Sequence, residues 1–398
     1  MRVALAVARF PPHVGGAERY AAKLVEGLAA RGHAVHVFTA RHPGRRRTPH
    51  AAPRLDGAGG PLPYAVREFR AVSPPGLGYT LWPGLVHPAI LRDLGRADVL
   101  HAVGLSSLCT LAWLAIGRLL RKPLVLTALY HPPYANVRPR LNAAYDRTAG
   151  RFILRGYDAV VVHSSTERHA LLRHVSRNPC ARLASMPLPP SLEGVPPGAS
   201  FRARHGLRGR FLALCAGRID SHKGLPTLLA AAAGLERDGS MPDLAVAIAG
   251  PSEAWYRLPP ETRDLASRLR RIVTFTGTLS DPELAAAYAE SDVVVVPSRY
   301  ESYGFSIVDA LSRGTPVIST RTGAAPDLIL PGENGYLFDY GNVAELKRLL
   351  VAARVCATGM RHRARASVEG LSWRRTLDEV LATYGEVCRR SARCRPPL

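Results

Sequence analysis

Apolar residues fall along this chain in two recurring patterns: short unbroken runs, and longer stretches with helical spacing. Short apolar runs bounded by turn formers predict strands buried on both faces, as in parallel sheets. The runs are Val3–Ala8, Val35–Thr39, Leu124–Thr127 and Ala159–Val162 in the first half. Phe211–Ala216, Leu244–Ala249, Val273–Gly277, Val293–Val296 and Pro316–Ser319 follow in the second, and Asp98–His101 reads as a strand end. Between them, Ala17–Arg31 places Tyr20, Leu24, Val25 and Leu28 on one face and stops at Gly32, which predicts an amphipathic helix with a glycine terminator. The same spacing predicts helices over Gly104–Leu120, Asn142–Arg155, Leu225–Leu235, Pro282–Ala289, Phe305–Ser312 and Arg374 to about Val387. Strands alternating with helices imply α/β layers around parallel sheets.

The alternation runs through 398 residues, too many for one ordinary core, so two domains are expected. The Pro-rich stretch Met186–Gly198 is the natural linker. It sets the domains at 1–187 and 188–370, with 371–398 as a terminal segment. His42–Pro63, rich in Pro, Gly and Arg, reads as a long surface loop, and Arg389–Leu398 as a disordered tail. His163 and Ser164 read as the cap of a helix.

Composition adds little: 47% hydrophobic and 21% charged residues are ordinary for a globular chain. The six cysteines lack metal-ligand spacing, which favours reduced thiols. Arg9 and Pro11-Pro12 follow the first apolar run where a small-residue cleavage site would belong in a signal peptide. The longest apolar stretch, Leu108–Ile116, is well short of the roughly 20 residues of a bilayer span. The expectation is a cytoplasmic protein, or one peripheral on the inner membrane face. The net charge of +22 fits three readings: an arginine-rich background, an anionic membrane or acceptor, and nucleic acid. The basic residues are widely spread and no aromatic-interleaved basic motif occurs, so no nucleic-acid partner is expected.

Candidate chemistry concentrates in Ser291–Gly323. The strand Val293–Val296 ends at Pro297-Ser298, and a loop with Glu301 and Ser302-Tyr303-Gly304 leads into a helix at Phe305. In open α/β sheets ligands bind at the carboxyl ends of strands, where a helix N-terminus offers N–H groups to an anion. A carboxylate, a glycine and a helix start suit a phosphate on one side and hydroxyls on the other. A second such turn is Gly217-Arg218-Ile219-Asp220-Ser221-His222-Lys223-Gly224. Its guanidinium and ammonium fit a diphosphate, though a solvated charged loop has the same composition. Gly15-Gly16, before the first helix, suits either a tight turn or close approach to a ligand. His131 follows the strand Leu124–Thr127 in a Pro-stiffened loop, either facing a cleft or without a role. No GxGxxG is present, which counts against a nicotinamide cofactor.

Pro297-Ser298, Glu301 and, after seven residues, Asp309 resemble the signature of retaining glycosyltransferases of the GT-B group often called family 4. In that family the second acid is usually glutamate. Gly15-Gly16 and Gly217-Arg218…Lys223-Gly224 are similar to further motifs of the family, so the resemblance extends over most of the chain. Gly323-Ala324-Ala325-Pro326-Asp327 departs from its usual Gly-Gly-x-Pro-Glu.

The resemblance implies a GT-B architecture: two Rossmann-like, doubly wound domains facing across a cleft, with the last helix crossing back to the first. It implies a nucleotide-sugar donor (UDP-, GDP- or another NDP-sugar) in the second domain and an acceptor in the first. The acceptor is a lipid-linked, polysaccharide or small-molecule hydroxyl. Glu301, His131, Arg218 and Lys223 are then the catalytic candidates. Gly15, Gly16, Gly217, Gly250, Gly277, Ser302, Tyr303, Gly304 and Phe305 join Arg218, Lys223 and Glu301 on the donor, with Asp309 on the ribose hydroxyls. Without an Asp-x-Asp motif at a phosphate position, no metal and no cofactor are expected. The alternatives are an epimerase or phosphorylase on the same fold, and, remotely, a basic nucleic-acid-binding protein.

Overall fold

The computed structural model describes residues 1–13, 15–41, 63–72, 82–133, 139–176, 182–251, 255 and 258–393. The chain divides into two compact units. Unit 1 is Met1–Leu188 with Trp373–Leu398, and unit 2 is Pro189–Ser372. Nearly all of the loop His42–Pro63, and the last five residues of the tail, lie outside the described residues.

Unit 1 runs β1 (Arg2–Val7), α1 (Gly16–Ala30), β2 (Ala34–Ala40), β3 (Ala65–Phe69), α2 (Pro88–Gly95), β4 (Val99–Val103), α3 (Leu108–Leu119) and β5 (Leu124–Thr127). It continues with α4 (Pro139–Tyr145), α5 (Arg151–Gly156), β6 (Ala159–Val162), α6 (Ser165–His174) and β7 (Arg182–Ser185). Unit 2 holds α7 (Phe201–Arg204), β8 (Phe211–Ala216), α8 (Leu225–Asp238), β9 (Leu244–Ala249), α9 (Pro260–Arg268), β10 (Val273–Gly277), α10 (Asp281–Glu290) and β11 (Val293–Val296). α11 (Phe305–Ser312), β12 (Val317–Thr320), α12 (Ala325–Leu328), β13 (Gly335–Phe338) and α13 (Val343–Ala366) complete it, and α14 (Trp373–Arg393) returns the chain to unit 1.

Each unit carries one sheet whose paired strands are all parallel, ordered β3-β2-β1-β4-β5-β6-β7 and β10-β9-β8-β11-β12-β13. Both are doubly wound, and the order reverses between β1 and β4 and between β8 and β11. Such switch points leave a crevice at the strand ends, because successive helices leave to opposite faces. The central strands have the burial their unbroken apolar runs predict: Val293, Val294 and Val295 are fully buried. In α1 the periodic Tyr20, Leu24, Val25 and Leu28 are buried against the sheet. Ser164 caps α6, its hydroxyl accepting from the Glu167 N–H at 3.0 Å.

α14 closes unit 1. Leu377, Val380, Tyr384 and Val387 form its buried stripe, and it runs to Arg393, so the first residues of the expected tail are helical. The Tyr384 hydroxyl lies 2.6 Å from His101 Nδ1, and His101 Nε2 lies 2.9 Å from Thr127 Oγ1. Burial, reinforced by the charge of His163, lowers the His101 pKa to about 3, so the imidazole stays neutral. Tyr384→Phe removes the partner of a buried ring nitrogen, which costs about 1–3 kcal/mol. Urea denaturation of the whole chain should show that loss, and an unchanged midpoint would remove the bond from the account of how α14 is held.

The units divide after Leu188, and Ser191 and Leu192, inside the Pro-rich stretch, are buried in unit 2. Ten of the thirteen residues of the expected linker, 189–198, therefore belong to the second unit.

Candidate functional site

The crevice at the carboxyl ends of β8 and β11 is a narrow pocket, open to solvent. Its wall includes Gly217, Arg218, Lys223, Ser298, Glu301 and Ser306. The sequence that leaves β8 turns through Arg218 and a single 3-10 turn, Ser221–Lys223, before α8 begins. Gly224 ends that turn at φ 68°. A Cβ on Gly224 would stand 1.8 Å from the Pro297 carbonyl oxygen, so this close crossing of the two loops admits only glycine. The Arg299 N–H donates to the His222 carbonyl at 2.7 Å and fastens the loops again.

Crossing the loops brings Lys223 and Glu301 together, although they are far apart in sequence. The Lys223 ammonium donates to Glu301 Oε1 at 2.6 Å, and the Ser298 hydroxyl donates to the same oxygen at 2.7 Å. The Glu301 N–H donates to Thr322 Oγ1 at 2.7 Å, which fixes the backbone that carries the carboxylate. Burial pushes the Glu301 pKa up. The charge and hydrogen bond of Lys223, the Ser298 hydroxyl and the nearby His222 outweigh that, and the net shift is downward. Cys215, behind the pair, has its thiol pushed up to about 12 by burial and is no nucleophile at neutral pH.

Arg218 is exposed at the mouth, with no ion pair to it found among the described residues. α8 and α11 both point their N-termini at this region, and neither has a side chain capping its first N–H groups. Uncapped helix starts carry partial positive charge and unfilled donors. A guanidinium, an ammonium and two helix starts therefore surround one carboxylate. That arrangement attracts a multiply charged anion that also carries hydroxyls.

The other expected donor residues distribute unevenly. Gly217 and Gly250 continue the parallel ladder past the ends of β8 and β9: the Gly217 N–H donates to Ala249 O at 2.9 Å and that of Gly250 to the O of Gly277, the last residue of β10, at 2.8 Å. A Cβ on Gly250 would stand 1.9 Å from the Gly217 carbonyl, so Gly250 serves the packing of this floor; neither Gly250 nor Gly277 lines the pocket. Ser302, Tyr303, Gly304 and Phe305 form the turn into α11. Tyr303 is buried, 5.9 Å from the Phe305 ring, and Ser306, one residue on, provides the lining.

Asp309 departs from expectation. It is not part of the pocket wall: it is 2% exposed and accepts from the Ser191 N–H at 2.6 Å, the Ser191 hydroxyl at 2.6 Å and the Leu192 N–H at 3.2 Å. The physical reason is its short side chain on a helix face packed against the buried end of the linker. The Asp309 carboxylate is thus engaged by Ser191 and Leu192 and is not on the wall of the pocket.

In unit 1, Gly15 and Gly16 begin α1 just past β1, and His131 follows β5. His131 is half-buried, with Nδ1 3.2 Å from the Leu129 carbonyl. A Cβ on Gly15 would meet a Glu18 carboxylate oxygen at 2.3 Å, the movable end of that side chain. Glu18 is buried and pairs with Arg9 at 3.1 Å. Sequence reading passes over Glu18, and also over Ser298 and Thr322 as partners of Glu301. Ser298 belongs to the Pro-Ser signature; for Glu18 and Thr322 no local signal distinguishes them.

Comparison with known proteins gives concordant matches. Residues 14–183 match the family model described as Glycosyltransferase Family 4, and residues 199–361 the one described as Glycosyl transferases group 1. The D-inositol 3-phosphate glycosyltransferase of Thermobifida fusca is 30% identical, over 96% of this chain and 91% of that protein. Among solved structures, sucrose-phosphate synthase from Thermosynechococcus elongatus superposes with a TM-score of 0.74 at 22% identity, covering 97% of this chain and 98% of that one. Anabaena HepE, crystallised with UDP and glucose, has a TM-score of 0.74 at 19% identity, covering 97% and 100%. These two likenesses bear on the fold, which is that of GT-B proteins.

Proposed function

This chain belongs to the group 1, family 4 glycosyltransferases, and from that premise we propose that it moves a sugar from a nucleoside-diphosphate sugar to an acceptor hydroxyl. Transfer proceeds with retention at the anomeric carbon and without a metal ion. The observation that carries the reading is the Lys223–Glu301 pair, 2.6 Å apart at the switch point of unit 2, with Arg218 and the α11 N-terminus beside it. HepE, with UDP and glucose bound, is a neighbour of the same fold and supports the choice of donor.

The bond from the anomeric carbon to the phosphate oxygen breaks, and negative charge collects on the departing diphosphate. Lys223 and Arg218 meet that charge, aided by the N–H groups that open α11. Preorganised donors of this kind contribute about 10²–10³ in rate each, which is the work a divalent cation does elsewhere. Glu301, kept ionised by Lys223, accepts from sugar hydroxyls and stabilises positive charge developing at the ring. In this reading the acceptor belongs to unit 1. No helix among the described residues is long and apolar enough to cross a membrane. Exposed Leu119 and Phe152 on α3 and α5, with the charge of +22, support peripheral contact with an anionic surface. A nucleic-acid partner is not part of this reading.

The test is a thermal-shift screen of UDP, GDP, ADP and TDP, followed by transfer assays with the matching sugar donors in chelator. One diphosphate at about a hundred times its Kd should raise Tm by about 5–10 °C, and turnover should survive chelation. No stabilisation by any of the four would overturn the donor assignment, and rescue of a chelated enzyme by Mg²⁺ would overturn metal independence.

A further inference from the structure

We propose that Asp309 is a positioning residue, locking α11 to the chain entering unit 2 and so holding the N-terminus of α11 against the pocket; this rests on the diphosphate reading of that pocket. The buried turn at Ser191 and Leu192 is gripped from one helix face by two opposite charges. Asp309 takes N–H and O–H donors from Ser191 and the N–H of Leu192. One turn further on, Arg313, the C-cap of α11, donates through Nη2 to the Leu192 carbonyl at 3.0 Å and to the Val195 carbonyl at 2.6 Å. The carboxylate thus reads the donors of the segment and the guanidinium its acceptors, so the register of helix against chain is specified from both sides.

A carboxylate this buried is tolerated because charge-assisted hydrogen bonds replace its water. Ser306, on the pocket wall, lies three residues before Asp309 on the same short helix. A helix of this length moves as a rigid rod, so a displacement at Asp309 reaches the anion-facing end undiminished. The shorter acid also has a physical reason: a glutamate here would push an extra methylene into contacts of 2.6 Å.

The experiment separates a lock from a reader of ribose by using inorganic pyrophosphate, which has no ribose. Calorimetric titrations well below the unfolding temperature compare the wild type with Asp309→Ala, Ser191→Ala, the double variant and Asp309→Asn. The ligands are pyrophosphate and the nucleoside diphosphate that the wild type binds. Asp309→Ala should weaken both ligands by the same factor, about three- to tenfold. Ser191→Ala should weaken both in the same sense by about two- to threefold, and the double variant should be no worse than Asp309→Ala. Asp309→Asn should recover most of the loss, since its carbonyl still accepts from the Ser191 N–H and its amide can donate to the Ser191 hydroxyl. Loss confined to the nucleoside diphosphate overturns the proposal, as does additivity of the two alanine substitutions. A wild type that binds neither ligand instead overturns the diphosphate reading itself.

Discussion

Replacing Lys223 by alanine should cut turnover by about two to three orders of magnitude, the usual cost of removing one preorganised donor from a site of developing charge. Two effects act together. The departing diphosphate loses an ammonium, and Glu301 loses the cation that offsets its burial. Without Lys223 the carboxyl loses the main offset to its burial and its pKa rises, which weakens its hold on positive charge at the sugar. Lys223→Arg should recover little, because a planar fork cannot replace a point charge at 2.6 Å from one oxygen. Steady-state rates, with circular dichroism to confirm the fold, decide the matter; a variant within threefold of the wild type would take Lys223 out of the chemistry. The pair also sets a pH dependence. The folded state holds Glu301 below its ordinary 4.5, so this stabilisation is fully present above about pH 4.5 and fades as the pH falls through the lowered value. The stability advantage of the wild type over Lys223→Ala should shrink in that acid window.

Gly224→Ala should destabilise unit 2 by about 3–5 kcal/mol, near the upper end for a single substitution. The left-handed backbone costs an alanine about 1–2 kcal/mol. The rest comes from the collision with the Pro297 carbonyl, 1.8 Å from the added carbon, which is backbone and cannot rotate away. Gly239 is the control: it has the same φ of 68°, but nothing lies within 4 Å of an added Cβ. Gly239→Ala should therefore cost about 1–2 kcal/mol. Urea denaturation of both variants separates strain from collision, and equal losses would refute the crossing of loops as the reason for Gly224. Because the turn must open to relieve the clash, Gly224→Ala should also displace the neighbouring Lys223 and lower turnover.

The central strands and the two cationic and acidic loops are legible in the sequence because each is a local pattern. Val293–Val296 is an unbroken apolar run, and Lys223 and Glu301 each sit in a strand-to-helix turn bounded by glycine. Of the four edge strands only β10, the run Val273–Gly277, is legible. β3, β7 and β13 pair on one side only, so their residues need not be uniformly apolar and no run marks them. α13 keeps Leu346, Leu349, Leu350, Ala353, Ala357, Met360 and Ala364 on its buried face, but small alanines among arginines dilute the periodicity. Asp309 shows the limit of motif reading. Its spacing from Glu301 assigns it to the ligand, while its actual partners come from residues more than a hundred positions earlier, and nothing local announces them.

Unit 2 is one uninterrupted segment, whereas unit 1 is closed by a helix that follows all of it. On the ribosome, the first 188 residues emerge with the seat of α14, around Gly27 and His101, still uncovered. At about 5–20 residues per second that surface waits about 10–40 s while unit 2 is synthesised. The later half of the nascent chain is thus complete before the earlier half, and the exposed seat makes the N-terminal portion the natural client of a chaperone.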